Sequence, residues 1–138
     1  MFRRMAILKN GKCQVAIAGS LTLSTSSVAT KALVRLAERL GINRAQQAIL
    51  LGVKPRTLDR LRAGETAFGR NELERLSHLI SIWEGAAALF GSTDAGVEWL
   101  TNVNADFGNS RPLDVMLKGN VADILAVRRY LDIARQGW

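Results

Sequence analysis

Apolar residues recur at helical spacing along most of the chain. Leu33, Leu36, Ala37 and Leu40 follow one another at i, i+3, i+4 and i+7, which places them on one face of a helix, and Gly41 follows as a C-terminal cap. Similar spacings continue to the end of the chain, and only the first 25 residues contain a segment that alternates like a strand. The pattern therefore predicts an all-α fold.

The longest helical pattern covers residues 71–90, NELERLSHLISIWEGAAALF. Its apolar residues form two neighbouring seams at spacings of three and four. The first seam is Leu73, Leu76, Ile80, Trp83, Ala87 and Phe90, and the second is Leu79, Ile82, Ala86 and Leu89. A helix with two seams buries more than one face. We expect a central helix shared by two small units, through core packing alone or with an additional dimer contact.

The N-terminal segment supports two interpretations. Cys13, Val15 and Ile17 alternate after an Asn-Gly pair, which favours a two-residue hairpin turn. A lone hairpin is marginally stable in water, so a flexible basic arm is the alternative. The serine- and threonine-rich segment from Ser20 to Ser27 has the composition of a linker.

Residues 46–65, QQAILLGVKPRTLDRLRAGE, predict two short helices joined by a tight turn. Asn43 and Gln46 have the spacing of a capping box at the start of the first helix. Pro55 suits the first turn of the second helix, where its missing N–H costs nothing, and Gly64 ends that helix.

The apolar and small residues of this segment have the spacing of a DNA-binding helix-turn-helix. Ala48 is small where the two helices cross, and Gly52 can adopt a positive φ at the turn. Leu58 and Leu61 face back toward the first helix. The alternative is an ordinary helical hairpin with solvated arginines.

The outward side of this motif carries the candidate DNA contacts. They are Arg44, Lys54, Arg56, Thr57, Asp59, Arg60 and Arg62. An outward arginine can donate two hydrogen bonds to a guanine edge, which suits Arg56 and Arg60. Asp59 would accept from cytosine or orient one of those two arginines. Arg44 and Arg62 lie at the periphery, where phosphate contacts set register.

The net charge of +7 is unevenly distributed along the chain. Residues 1–70 hold 13 Lys or Arg against 3 Asp or Glu, whereas residues 71–138 hold 6 against 9. This asymmetry suggests a nucleic-acid partner for the N-terminal half and a different task for the C-terminal half. A simple solvated basic face is the alternative.

The sequence offers no constellation for catalysis or metal binding. The single Cys13 excludes an internal disulfide, and the single His78 would lack partners in a metal site or a catalytic centre. We therefore expect no cofactor, no metal and no enzymatic activity. The sequence lacks a run of about 18 apolar residues and a clear secretion signal, which predicts a cytoplasmic protein with no membrane partner.

Residues 27–138 resemble the Xre-type antitoxins of RES–Xre toxin–antitoxin modules, also called the Xre/MbcA/ParS group. The first part of the resemblance is LVRLAERLGINRAQQAILLGVKPRTLDRLRAGE. The stronger part is ALFG, then WL, an asparagine-containing loop, RPLDVML and a final helix ending in glycine. One departure is Val103, which stands where a proline commonly precedes the loop asparagine.

This resemblance implies the partners and the domain organisation. It implies a RES-domain toxin that consumes NAD⁺ and an antitoxin that covers the toxin's active site and represses its own operon. The expected organisation is an arm or hairpin at 1–26, a helix-turn-helix domain at 27–70, a long connecting helix at 71–91 and a toxin-binding domain at 92–138. Since such motifs bind half-sites in pairs, a homodimer on a palindromic operator is expected.

The C-terminal residues divide into expected core and expected interface. The expected core residues are Trp83, Phe90, Trp99, Leu113, Leu117, Ile124 and Leu131. The candidate toxin contacts are Arg111, Lys118, Arg128, Arg129, Tyr130, Gly137 and Trp138. Trp138 either contacts the toxin or docks on its own domain. The alternative function is a stand-alone transcriptional repressor whose C-terminal half only dimerises or senses a ligand.

Overall fold

The computed structural model describes the backbone of residues 12–137 and the side chains of residues 25–137. This part of the chain is helical and contains no strand, which confirms the all-α prediction. Its helices are α1 (Lys12–Leu40), α2 (Arg44–Leu51), α3 (Pro55–Arg62), α4 (Arg70–Phe90), α5 (Thr93–Thr101), α6 (Pro112–Met116) and α7 (Val121–Arg135). A single 3₁₀ turn, Ala105–Phe107, lies between α5 and α6.

The N-terminal helix differs from both interpretations of the sequence. Cys13, Val15 and Ile17 lie within α1, as does the Ser20–Ser27 segment that was expected to be a linker. The Asn-Gly pair lies outside the described residues. Serine and threonine cost at most about 0.7 kcal/mol each in a helix interior, and no proline interrupts α1. The polar composition therefore does not break the helix.

Most helix ends follow the local signals in the sequence. Asn43 and Gln46 form the predicted capping box, with Asn43 Oδ1 accepting from the Gln46 N–H at 2.8 Å. Gly41 and Gly91 follow α1 and α4 with positive φ. Asn120 precedes α7 but its side chain makes no capping bond, because its amide donates to Asp123 Oδ2 at 3.1 Å instead.

Helix α4 is the central element, and its two seams have different environments. Leu79, Ile82 and Ala86 of the second seam are at most 2% exposed. Most of the first seam is only partly buried. Phe90, at the end of that seam, is 41% exposed, so the expectation that it belongs to the core is wrong. It is the last residue of α4, beyond which Gly91 turns the chain away.

One hydrophobic core runs through both halves of the chain. Leu36 of α1 and Leu50 of α2 belong to the same buried cluster as Leu113, Ile124 and Leu131 of α6 and α7. The last three were expected in the core, and this is confirmed. Trp83, Trp99 and Leu117 pack against the same cluster but are only partly buried.

A second, smaller core lies under the helix-turn-helix. It joins α1 to α2, α3 and the start of α4 through eight buried residues. They are Ala29, Leu33, Ala48, Leu51, Leu58, Leu61, Phe68 and Leu76. This core fixes α3 against α2, which determines the face that α3 presents to solvent.

Candidate functional sites

The turn between α2 and α3 is braced as the sequence predicts. Ala48, Leu58 and Leu61 are at most 2% exposed. Gly52 has φ 71°, and the Val53 N–H donates to the Ala48 carbonyl at 3.0 Å. Because a residue with a side chain is strained at this φ, glycine suits the turn.

Arg75 of α4 lies directly against this turn. A Cβ atom on Gly52 would lie 2.8 Å from the Arg75 guanidinium carbon. The guanidinium donates to the carbonyl of Leu50 at 3.4 Å and to the carbonyl of Gly119 at 3.2 Å. Arg75 therefore joins the helix-turn-helix to the loop between α6 and α7.

The outward surface of α2 and α3 contains a two-bond ion pair. Arg44 Nε and Nη2 donate to the two Asp59 carboxylate oxygens at 2.7 and 2.6 Å, and both side chains are about half exposed. The hydrogen bonds from Arg44 lower the pKa of Asp59 below its ordinary value. Asp59 thus orients Arg44, and not Arg56 or Arg60 as the sequence allowed.

Some of the other cationic side chains of this surface form hydrogen bonds or ion pairs within the chain, and some do not. Arg62 Nη1 donates to Gln47 Oε1 at 3.2 Å, and Arg60 Nε lies 3.8 Å from Glu65 Oε1. The side chains of Lys54 and Arg56 are exposed and form no hydrogen bond or ion pair with the residues that the structure describes. They are therefore the cations most available to a ligand.

Four aromatic residues form a cluster at the surface of the C-terminal half. The Trp99 ring centroid lies 5.6 Å from that of Phe90, 5.7 Å from that of Tyr130 and 5.9 Å from that of Phe107. We call these four residues the aromatic cluster. Its contacts connect α4, α5, α7 and the 3₁₀ turn, so the cluster holds the exposed loop against the helices.

The polar end of the aromatic cluster is set by one short hydrogen bond. Tyr130 Oη donates to Asp106 Oδ2 at 2.6 Å, and this bond is the main cause of the raised pKa of Tyr130. Asp106 is held in turn because its N–H donates to Asn104 Oδ1 at 2.8 Å. The loop asparagine of the sequence pattern thus positions the carboxylate that binds Tyr130.

Three of the candidate toxin contacts are engaged within the chain, and Tyr130, through its bond to Asp106, is the first of them. Arg111 makes two bonds to Asp114, at 2.8 and 2.7 Å, which raise the pKa of Arg111 and lower that of Asp114. Arg128 Nη1 lies 2.7 Å from His78 Nδ1, and its Nε lies 4.0 Å from an Asp132 oxygen.

The remaining candidate contacts are more accessible. The side chains of Lys118 and Arg129 are exposed and have no hydrogen bond or ion pair within the described part of the chain. Gly137 is exposed and has φ 83°. Trp138 lies outside the described residues, so neither of its two interpretations is tested.

Sequence reasoning missed two residues that organise these surfaces. Arg75 carried no local signal, because its partners are carbonyl groups that are distant in sequence. Asp106 lies beside Asn104 in the predicted loop, and an Asx turn at that asparagine would have indicated it. Among the residues that the structure describes, no group of three potential metal ligands occurs and no helix is long and apolar enough to cross a membrane.

The fold and these two surfaces define a helix-turn-helix protein with an appended partner-binding domain, and comparison with known proteins identifies its class. Residues 20–81 match the antitoxin Xre-like helix-turn-helix domain. Residues 85–137 match the antitoxin Xre/MbcA/ParS C-terminal toxin-binding domain. The chain therefore belongs to the Xre/MbcA/ParS antitoxins of toxin–antitoxin systems.

One relative is similar over most of its length. The uncharacterized protein y4oB of Sinorhizobium fredii is 35% identical over 108 residues, which cover 78% of this chain and 84% of the relative. The similarity therefore extends beyond either single domain.

Proposed function

We propose that this antitoxin neutralises a RES-domain toxin that consumes NAD⁺ and represses its own operon as a homodimer on operator DNA, in the cytoplasm. The observation that carries the proposal is that each matched domain has its own surface of exposed residues suited to a partner. The helix-turn-helix presents the unpaired side chains of Lys54 and Arg56 at the start of α3. The toxin-binding domain presents the edges of the aromatic cluster and an exposed arginine, Arg129.

The DNA-binding part rests on how α3 is held. Leu58 and Leu61 are buried against α1 and α2, so the opposite face of α3 is the one that can enter a major groove. Arg56 lies on that face without a partner among the described residues. A guanidinium that is not already paired can donate both of its hydrogen bonds to a guanine edge.

The toxin-binding part rests on an exposed, largely apolar groove, whose charged residue is Glu98, and on the exposed Arg129 elsewhere in the same domain. Phe90 and Val103 are 41% and 67% exposed, and with Trp99 they line one groove. Exposed arginine and aromatic residues are enriched among interface hot spots. Arg129 adds the positive charge that would approach a toxin pocket built for an anionic dinucleotide.

Co-expression with the neighbouring reading frame tests the antitoxin function. The two proteins are expected to co-purify, and cellular NAD⁺ should fall when the neighbour is expressed alone and recover when this chain is present. A neighbour that neither binds this chain nor lowers NAD⁺ would contradict the proposal. In that case operator binding without a toxin would favour the stand-alone repressor.

Two matched substitutions separate the proposed surfaces. Arg56→Ala should relax sequence preference by about 1–3 kcal/mol while leaving NAD⁺ protection intact. Arg129→Ala should weaken NAD⁺ protection while leaving operator affinity intact. Each variant is the control for the other, because both remove one exposed arginine. Losses of equal size in both assays for both variants would mean that the surfaces are misassigned.

A further inference from the structure

A groove between α1 and α4 leaves part of the first seam of α4 uncovered. It is lined by Ala32 and Arg35 of α1, by Ile80, Trp83, Glu84 and Ala87 of α4, and by Thr93 of α5. The four α4 residues occur at i, i+3, i+4 and i+7, so they form a continuous stripe along one side of the helix. We call this surface the α1–α4 groove.

The α1 side of the groove continues toward the N-terminus with one exposed apolar residue. Val28 lies one turn before Ala32 and is 65% exposed. One turn beyond Arg35, Arg39 pairs with Asp94 of α5 at 3.1 Å. This pair joins α1 to α5 at that end, so the groove has fixed sides.

The two sides of the groove carry opposite charges that their own chain leaves unpaired. Arg35 lies on the α1 side and Glu84 on the α4 side, and both are exposed. Neither side chain forms an ion pair or a hydrogen bond with any residue that the structure describes. In a two-fold interface, residue i of one copy meets residue j of the other and the reverse also holds. An apolar strip with a cation on one side and an anion on the other is therefore complementary to itself.

The groove suits a second copy better than either of the other partners. Arg35 and Glu84 balance each other, so the groove offers no net positive charge to DNA phosphates. The toxin-binding match begins at residue 85, after most of the residues that line the groove. The helix-turn-helix reads paired half-sites as a dimer, so a copy of the same chain is the partner that remains.

We propose that two copies of this chain form a two-fold dimer through the α1–α4 groove. Val28, Ile80 and Trp83 form the apolar contact, and Arg35 pairs with the partner's Glu84 on both sides of the axis. The proposal deepens the proposed function by naming the homodimer surface, but it does not depend on the identity of the toxin.

Charge reversal tests this pairing in the full-length chain. Arg35→Glu or Glu84→Arg alone places two like-charge pairs in the dimer, which should raise the dimer dissociation constant at least about tenfold. The double variant Arg35→Glu/Glu84→Arg restores opposite charges and should return to within about threefold of the wild type. Sedimentation equilibrium measures the dissociation constants, and circular dichroism confirms that each variant is folded.

The controls use exposed charges outside the groove. Glu98→Arg and Arg129→Glu should leave the dissociation constant unchanged. The dimer surface is wrong if the wild type remains monomeric at about 0.1 mM, if the single reversals have no effect, or if the double variant does not recover. NAD⁺ protection is measured on the same samples, so a monomer that still protects would overturn this surface and leave the antitoxin function standing.

Discussion

At the scale of single residues, the pair between Arg44 and Asp59 changes the expected chemistry of the DNA-facing surface. The sequence placed both residues at this surface but could not show that they bind each other, because they lie on different helices. Asp59 has a lowered pKa, so the pair persists at neutral pH and is lost only as the pH falls through that lowered value. Arg44 is therefore held away from a phosphate contact by a carboxylate.

Asp59→Asn is expected to tighten binding to random DNA. The substitution removes a negative charge that faces phosphates and frees Arg44, so the logarithmic salt slope should steepen by about 0.9, the value of one phosphate contact. The ratio of operator affinity to random affinity should fall, because the added contact carries no sequence information. Fluorescence anisotropy with operator and random duplexes over a salt series measures both quantities.

The matched control for this substitution is Asp132→Asn. Asp132 is also an exposed carboxylate near an arginine, Arg128, but it lies on α7 in the toxin-binding domain. Its removal should leave the salt slope unchanged. An equal change in slope for both variants would mean that only net charge matters and that the Arg44–Asp59 pair has no specific role.

At the scale of elements, local sequence signals predicted where helices end better than they predicted which helix residues are buried. Gly41, Asn43 and Pro55 act through bonds within a few residues of themselves, so sequence alone was sufficient to place them. The continuation of α1 through Ser20–Ser27 was missed, because a composition typical of linkers costs little in a helix. The exposure of Phe90 was missed because periodicity identifies the apolar face of a helix but not which residues of that face other helices cover.

Gly96→Ala should destabilise the packing of α5 on α4. A Cβ atom at this position would lie 2.7 Å from the Ala87 backbone nitrogen and 3.0 Å from the Ala86 carbonyl carbon. Backbone atoms of a packed helix cannot move aside cheaply, so we expect a loss of about 1–3 kcal/mol in the free energy of unfolding. Urea unfolding followed by circular dichroism measures the loss.

Gly85→Ala is the control for this packing effect. Gly85 also lies within a helix, but the nearest atom to its added Cβ, Arg135 Nη1, is at an ordinary contact distance of 3.7 Å. Alanine favours a helix interior over glycine by about 1 kcal/mol, so this variant should be neutral or more stable. A similar loss in both variants would show that the close approach at Gly96 is not the cause.

At the scale of the whole molecule, the sequence predicted two halves with different tasks, and the structure shows one core beneath both. Charge asymmetry and motif order along the chain were enough to predict the halves. The shared core was not predictable, because it joins Leu50 of α2 to Ile124 of α7, which are separated by about half of the chain. Arg75 adds a polar connection between the same regions by bonding to Leu50 and Gly119.

The shared core predicts that the two halves unfold as one unit. Leu50 is fully buried in the N-terminal half, so Leu50→Ala should cost about 2–5 kcal/mol and lower the melting temperature by about 3 °C per kcal/mol. All three tryptophans lie at residue 83 or beyond, so their fluorescence reports on the C-terminal half. In Leu50→Ala, the fluorescence transition should shift by the same amount as the circular dichroism transition. In the matched variant Ile124→Ala, the two transitions should likewise shift together. A tryptophan transition that stays in place while circular dichroism shows an earlier phase would mean that the halves unfold independently.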